Sequence, residues 1–536
     1  MNNSELKYLR NLDLLRLTPI LILSLLTASL AAAQTKPPTR VAADTTGERR
    51  AELNLKAARQ NPLQLRHFLL DMPKGGDLHN HLSGAVYAES FIRAAAEDRL
   101  CVDVAKLAFA KPLPSSISGT AQVECGEGKI PASAAYKDQQ LYDALVDAFS
   151  MRGFVPSPGI TAHDHFFDAF AKFSGTGHRH LGEWIDEVAA RAAAQNEQYL
   201  ELMHTPEYDH AKEISKQIGW SDDFNKLRDD LLAHGLRDEV ALAKNTLSDA
   251  EALRARLEHC DGPDPAPACR VQVRFLCQIL RGFPKEQVFA QSLLCFETAM
   301  ADPRFVGINL VMPEDGYTSM TDYALHMHII GFLHTIYPKV HISLHAGELA
   351  PGLVPDEGLC CHIRLAVEVA HAERIGHGVD IMYEDKPHAL LKEMAAKHVM
   401  LEISLTSNDV ILGIRGMDHP FPLYRLFGVP VALATDDEGV SRIDLTHEYV
   451  RAVQTYDLHY ADLKRMVRTS LEHSFLPGLS MWNAPDDFTR AAAPCSEDSL
   501  GSNSPSTRCA AFLKASEKAQ QQWELEKRFR TFESNL

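Results

Sequence analysis

The stretch that decides the fold is Gly76-Asp77-Leu78-His79-Asn80-His81-Leu82-Ser83-Gly84. The run that enters it from Pro73 is typical of a strand, and Gly84 would end that strand. Alternate residues of a strand point to the same face, so the imidazoles of His79 and His81 would project to one side, spaced to bind one metal ion. Taken alone, the pair is more simply explained as two polar residues at a strand end. The metal interpretation therefore depends on residues further along the chain.

Strand-like and helical segments alternate along the rest of the chain. Seven further strand-like runs occur, at 198–204, 271–276, 306–311, 340–345, 374–377, 400–404 and 431–434. Helical patterns lie between them, clearest at 222–234, 285–300, 321–334, 357–371 and 387–397. Eight strands separated by helices imply a parallel sheet that closes on itself. The predicted fold class is α/β, a (β/α)8 TIM barrel.

The remaining segments flank this barrel. Residues 1–33 are predicted to be a signal peptide, because a basic leader precedes an apolar run at 17–30 and a small-residue site at 31–33. An uncleaved anchor is the alternative, although the apolar run is short for a membrane span. We predict a linker and N-terminal helix at 34–72, the barrel at 73–480 with an inserted loop at about 100–135, and a Cys-bracketed loop with a C-terminal helix at 481–536. The mature chain would be periplasmic or secreted, without stable membrane insertion.

The ten cysteines are consistent with an exported protein. Three pairs bracket short loops and are expected to form disulfides: Cys101 with Cys125, Cys260 with Cys269, and Cys495 with Cys509. The four others have no evident partner, and simple burial is expected for them: Cys277, Cys295, Cys360 and Cys361.

Composition narrows the class of ligand. The chain has 54 basic and 71 acidic residues, a formal charge of −17, and such a surface repels phosphate backbones. A nucleic-acid polymer is therefore excluded as a partner, whereas a small neutral or cationic molecule is compatible.

Side chains suited to chemistry follow the ends of several predicted strands, where the active sites of such barrels lie. They are His79 and His81, His345 and Glu348, His377, and the adjacent Asp436 and Asp437. Three histidines and one carboxylate are donors that suit zinc and leave a position open for water. The set predicts one Zn²⁺ ion, held by His79, His81, His345 and Asp436.

The residues that are not predicted as metal ligands could take part in the reaction. A zinc ion lowers the pKa of its bound water to about 7, and His377 could hold and deprotonate that water. Glu348 is a candidate proton donor if its surroundings raise its pKa. Asp437 could hydrogen-bond a ring nitrogen of the substrate. A phenylalanine stripe that includes Phe166 and Phe170 is typical of core packing, but it could also line a pocket.

The sequence resembles the adenosine deaminases, a family of metal-dependent amidohydrolase barrels. The similar stretches run in order from Pro73 to about Leu476: Pro73-Lys74, Asp77 to Gly84, Tyr199 to Pro206, His345 to Glu348, Arg374 to Gly378, Leu401 to Asn408, and Thr435 to Asp437. The predicted export also makes the chain similar to the exported, growth-factor-related branch of the family. The long inserted domain of that branch has no counterpart of comparable size here.

The resemblance implies hydrolytic deamination of adenosine or 2′-deoxyadenosine to the inosine form and ammonia. Glu348 would protonate nitrogen 1, His377 and Asp436 would orient the water, and Asp437 would contact nitrogen 7. We predict that the substrate contacts His81, Ser83, Met312, Asp437, Phe166 and Phe170. Two of these depart from the family pattern: Ser83 stands where many members have Asp near the sugar 5′-hydroxyl, and Met312 stands where related sequences have Gly.

Three other functions are compatible with parts of the sequence. His371-Ala372-Glu373 matches the His-x-Glu of cytidine deaminases, but the Pro-Cys-x-x-Cys that this class needs is absent from the sequence. A barrel deaminase of adenine, an N6-substituted adenine or AMP stays open because of Ser83; for a 5′-phosphate, the nearest basic residues are Lys74 and Arg93. A non-catalytic nucleoside-binding protein would not need Glu348 and His377 together.

Overall fold

An eight-stranded parallel sheet forms the centre of the molecule and curls into a barrel, which confirms the predicted (β/α)8 fold. The computed structural model describes residues 45–113 and 123–536. Strands β1 to β8 of the barrel are, in chain order, Gly75–His81, Glu197–His204, Gln272–Leu280, Phe305–Val311, His341–Ala346, Arg374–His377, Met400–Ile403 and Val431–Leu433. Each pairs with the next, and the predicted signal peptide at 1–33 lies outside the described residues.

The barrel closes between β1 and β8. A parallel bridge joins Asn80 to Asp436, which follows β8. The N–H of His81 donates to the carbonyl of Asp436 at 2.9 Å, and the N–H of Asp436 donates to the carbonyl of His79 at 2.9 Å. The seam is therefore hydrogen-bonded at residues that the sequence predicts as metal ligands.

Helices cover the strands, so that the strands are buried on both faces and β1 and β4 have no exposed residue. Named α1 to α22 in chain order, the helices are Thr45–Ala58, Pro62–Asp71, Leu82–Ala85, Ala88–Glu97, Gln139–Ala148, Ala162–Phe173, Leu181–Ala194, Asp209–Ile218, Phe224–Ala233, Leu236–Leu257, Lys285–Ala301, Tyr317–Thr321, Tyr323–Ile336, His362–Glu368, Pro387–Ala396, Leu405–Leu412, Phe421–Phe427, Glu438–Ser441, Leu445–Thr455, Tyr460–Glu472, Thr507–Lys514 and Glu517–Asn535. No helix in the described ranges is both long and apolar enough to cross a membrane.

Three predicted segments differ from the structure. The insertion at 100–135 is not only a loop, because it contains a small antiparallel sheet of Cys101–Asp103, Ala108–Ala110 and Lys129–Pro131. The N-terminal helical pattern is two helices, since Asn61 caps a new helix that begins at Pro62. The C-terminal pattern is likewise divided, because Ser516 accepts the N–H of Ala519 and starts α22.

The three predicted disulfides are present: Cys101–Cys125, Cys260–Cys269 and Cys495–Cys509. The expectation of simple burial for the other four cysteines is wrong. Cys277 pairs with Cys295, which joins β3 to α11, and the neighbours Cys360 and Cys361 pair with each other. Spacing could not show the first pair, because its partners lie on a strand and on the helix that returns to pack on it.

Candidate active site

The side chains that the sequence predicts as metal ligands, and His377 beside them, meet at one end of the barrel. Because parallel strands end on the same face, the ends of β1, β5, β6 and β8 bring together His79 and His81, His345, His377, and Asp436. All five side chains are buried. The structure thus assembles the constellation from positions more than 350 residues apart.

Nitrogen and oxygen atoms converge there at ligand-to-ligand spacing. Oδ1 of Asp436 lies 3.3 Å from Nε2 of His79 and 3.2 Å from Nε2 of His81. Nε2 of His81 lies 3.1 Å from Nε2 of His345. A tetrahedral ion with bonds of roughly 2.0–2.2 Å spaces its ligand atoms by roughly 3.3 Å. The four side chains therefore fit one ion.

Unsatisfied polar atoms point to the same conclusion. Within the described ranges, Nε2 of His79, Nε2 of His377 and Oδ1 of Asp436 are buried and have no hydrogen-bond partner. Buried polar atoms are costly when unpaired, so such a cluster is typical of a place where a ligand completes the bonding. Ligand atoms of His79, His345, His377 and Asp436 all lie within 4.8 Å of one another.

Each of the three predicted ligand imidazoles is oriented by its other ring nitrogen. The pairs are His79 Nδ1 with Glu402 Oε2 at 2.6 Å, His81 Nδ1 with Gln278 Oε1 at 3.1 Å, and His345 Nδ1 with Asn309 Oδ1 at 2.8 Å. Each acceptor is an oxygen, so Nδ1 donates and Nε2 keeps its lone pair for the cluster.

Asp436 is oriented as tightly. Its Oδ2 accepts the hydroxyl of Ser407 at 2.6 Å, which directs Oδ1 at the imidazoles. Burial opposes its ionisation, but the close approach of the His79 and His81 imidazoles holds the pKa of Asp436 well below its usual value. Its backbone adopts φ +62, a region that side chains rarely occupy and that recurs at functional sites.

Glu348 stands at the edge of this cluster, 7% exposed, with Oε1 3.6 Å from Nε2 of His377. Burial and the nearby charge of Asp436 raise the pKa of Glu348 well above its usual value. The loop that carries Glu348 is held in place, because the carboxylate of Glu314 accepts hydrogen bonds from the N–H groups of Gly347 and Glu348 at 3.0 and 2.8 Å.

Asp437 is 5% exposed, and its Oδ1 has no hydrogen-bond partner among the described residues. It lies directly over Gly84, where an added Cβ would come within 1.6 Å of that oxygen, so glycine is required there. Burial raises the pKa of Asp437 to about 8.

The other predicted substrate contacts differ in exposure. Ser83 is exposed in α3, and Met312 is 37% exposed after β4 with its side chain against Gly282. Phe166 is fully buried in an apolar cluster, and Phe170 is half-buried against the same cluster. Packing therefore accounts for Phe166, whereas Phe170 keeps exposed surface.

Known proteins identify the family of this chain. The family model described as adenosine deaminase matches residues 184–480, more than half of the chain. The chain belongs to the adenosine deaminase family. An adenosine deaminase of Clostridium perfringens (strain 13 / Type A) is 35% identical over 135 residues, a stretch that covers 25% of this chain and 37% of that protein.

Two solved structures have a similar fold. The adenine deaminase of Arthrobacter aurescens is 18% identical, with a TM-score of 0.48, and the match covers 76% of this chain and 94% of that one. The Arabidopsis N6-mAMP deaminase is 20% identical, with a TM-score of 0.48, and the match covers 77% of this chain and 94% of that one.

Several residues that build the site are not among those that the sequence predicts for it. They are Gln278, Asn309, Glu314, Glu402, Ser407, Asn408 and His419. Gln278, Asn309 and Glu402 are polar residues at buried positions of mostly apolar strands, and that pattern could have marked them, because a buried polar group needs a partner.

Proposed function

We propose that this member of the adenosine deaminase family is a zinc-dependent hydrolase that converts adenosine or 2′-deoxyadenosine to the corresponding inosine and ammonia. The observation that carries the proposal is the convergence of His79, His81, His345 and Asp436 on one buried point beside Glu348. A binding protein would need neither a complete ligand set nor a buried acid next to it.

The donor set favours zinc as the ion. Three imidazole nitrogens and one carboxylate oxygen are the ligands that Zn²⁺ takes when it leaves a position open for water. A zinc ion there supplies Lewis acidity that makes water nucleophilic near neutral pH. The protein's own contribution is to fix the ligand imidazoles through Glu402, Gln278 and Asn309.

Glu348 suits the role of proton donor to nitrogen 1 of the purine. Burial and the nearby charge of Asp436 raise its pKa, which favours the protonated carboxyl that can give its proton to a ring nitrogen gaining electron density. The backbone hydrogen bonds from Gly347 and Glu348 to Glu314 hold this side chain's loop in place.

Asp437 suits a hydrogen bond to nitrogen 7. That nitrogen is an acceptor, so a carboxyl can bind it only in the protonated form. Burial raises the pKa of Asp437 to about 8 and so favours that form at neutral pH.

Lys74 and Arg93, the two basic residues that the sequence offers for a 5′-phosphate, are both engaged elsewhere, which favours a nucleoside over AMP. Lys74 is fully buried, and its Nζ donates to the backbone carbonyls of Leu70, Met72 and Gln195. Arg93 is paired with Glu183 at 2.9 Å and with Glu97. Neither cation is therefore available to a 5′-phosphate.

Turnover measured side by side on adenosine, 2′-deoxyadenosine, adenine and AMP, by loss of the adenine absorbance, tests the substrate. We expect both nucleosides to turn over and AMP to be poor. A preference for adenine or AMP would contradict the assignment to nucleosides, and unchanged spectra with all four would contradict the enzyme itself.

The variant Glu348→Gln tests the acid. We expect kcat to fall by about 10²–10⁴-fold, because the amide has no proton to transfer, while zinc content stays near that of the unmodified protein. Glu357→Gln, an exposed residue of the same loop, is the matched control and should keep full activity. Undiminished turnover by Glu348→Gln would remove its assigned role.

Export is also part of the proposal. The five disulfides within the described residues support it, because such bonds persist in oxidising compartments. Cell fractionation tests it, and recovery of the protein only from the cytoplasm with free thiols would contradict it.

A further inference from the structure

A buried chain of hydrogen bonds runs from His377 to the start of α17. Nδ1 of His377 lies 2.9 Å from Nδ2 of Asn408, and Oδ1 of Asn408 lies 3.0 Å from Nε2 of His419. Nδ1 of His419 accepts the backbone N–H of Phe421 at 3.1 Å. His377, Asn408 and His419 are each at most 2% exposed, so water does not compete for these atoms.

The direction of the hydrogen bonds is decided by the last member. The N–H of Phe421 is in the first turn of α17, where it has no partner within the helix, and a backbone N–H can only donate. Nδ1 of His419 must therefore be an acceptor. An imidazole with one accepting nitrogen is neutral and carries its proton on the other, so Nε2 of His419 donates.

The orientation of the Asn408 amide is determined in the same way. The two ends of an amide have nearly the same shape, so its orientation is decided by its partners. The N–H of His419 requires the oxygen of Asn408, which turns the NH₂ group of Asn408 towards His377. Nδ1 of His377 is then an acceptor, and the ring proton of His377 is on Nε2.

Nε2 of His377 faces the cluster and Glu348 Oε1. We propose that His377 is a hydrogen-bond donor in this site, held in its Nε2–H tautomer by the positioning residues Asn408 and His419, and that it neither ligates the metal nor accepts the proton of the attacking water. This inference rests on the proposed function and deepens it, because it replaces the role of base that the sequence suggested for His377.

The proton of the water then needs another acceptor. Of the two residues expected to orient the water, His377 and Asp436, only Asp436 offers a lone pair. As the water oxygen forms its bond to carbon 6, its O–H bond breaks towards Asp436, and the N–H of His377 donates to that oxygen. The electron pair of the C6–N1 double bond moves to nitrogen 1, which takes the proton of Glu348.

The variant Asn408→Asp reverses the hydrogen bonds with almost no change in shape. A carboxylate accepts from both neighbours, so His377 would carry its proton on Nδ1 and present a lone pair to the site. We expect kcat to fall by about 10²–10³-fold, the loss typical of one removed donor, with KM changed by less than about threefold. Zinc affinity should be no weaker than in the unmodified protein. Asn225→Asp, the same change on an exposed helix, is the control.

NMR can determine the tautomer of His377 without an activity measurement. In metal-free protein labelled with ¹⁵N-histidine, long-range ¹H–¹⁵N correlation distinguishes a ring nitrogen with a proton from one without, and the His377 signals are assigned by their loss in His377→Gln. We expect the proton on Nε2 in the unmodified protein and on Nδ1 in Asn408→Asp.

A proton on Nδ1 of His377 in the unmodified protein would overturn the proposal, and so would an Asn408→Asp enzyme with unchanged kcat. The spectrum of the unmodified protein decides the point even if the variant fails to fold. Because it is recorded without metal or substrate, it also separates failure of this inference from failure of the proposed deaminase activity.

Discussion

Met312 adopts φ +88, in the left-handed region where side chains are strained. Two contacts hold it there. Its carbonyl accepts Nε of the buried Arg281 at 2.9 Å, and its side chain rests against Gly282. The position therefore combines a backbone held by Arg281 with a partly exposed side chain packed against Gly282.

Replacing Met312 separates these two effects. Met312→Ala keeps a Cβ at positive φ, whereas Met312→Gly removes it, and neither retains the thioether. We expect the glycine variant to be more stable than the alanine variant by about 1–2 kcal/mol, the usual cost of a left-handed L-residue. Urea denaturation measures the difference, and equal stabilities would show that the backbone there is not strained.

At the scale of the element, the loop after β4 supports the loop after β5. Glu314 accepts the N–H groups of Gly347 and Glu348, and its Oε1 lies 2.5 Å from Nδ1 of His362. Burial opposes ionisation, but the hydrogen bond of His362 and the charge of Arg281 lower the pKa of Glu314 to about 2. The buried Glu314 carboxylate therefore stays charged and holds the loop that carries Glu348 in place.

The lowered pKa of Glu314 makes the free energy of unfolding depend on pH. A lowered pKa adds stability that is fully present above the ordinary value of 4.5 and is lost as the pH falls towards 2. We expect Glu314→Gln to reduce the free energy of unfolding by about 3 kcal/mol at pH 7 and by progressively less below pH 4.5. Urea titrations at pH 7, 4 and 3 measure this, with Glu357→Gln as control. A difference independent of pH would contradict the lowered pKa.

The sequence predicts the long strands of the barrel and the residues at their ends, but not the short strands or the partners of the site residues. The barrel strands and the residues at their ends are predictable from alternation and from the rule that parallel strands end on one face, which is how His345 and Asp436 can be associated. The three-residue strands at 101–131 are too short to leave a period, so their sequence predicts a loop. The partners Gln278 and Asn309 are not predicted, because periodicity shows that a strand is buried but not which neighbour each side chain meets.

In the molecule as a whole, Arg374 connects the interior of the barrel to the predicted metal ligands. It is fully buried, with Nη2 2.7 Å from Glu201 and Nε 2.7 Å from Oε1 of Glu402. Glu402 in turn accepts Nδ1 of His79 through Oε2. One guanidinium therefore orients a carboxylate that orients a predicted ligand.

Two variants divide the roles of Arg374. Arg374→Met leaves Glu402 without its cation, and we expect zinc affinity to fall about 10–100-fold, the usual effect of losing a partner of a ligand. Glu201→Gln disrupts the other arm and should lower the melting temperature while zinc affinity stays within about threefold. Competition with a chelator measures affinity, and equal affinities in Arg374→Met and the unmodified protein would contradict the link.

The seam between β1 and β8 has a consequence for assembly. The two strands are joined at Asn80 and Asp436, and the residues that flank that bridge are the predicted ligands. An ion bound there would hold the first strand against the last, so its binding free energy would add to the stability of the closed barrel. Stripping the ion should therefore accelerate amide hydrogen exchange at His81 and Asp436 before it does so in β4, which lies on the far side of the ring.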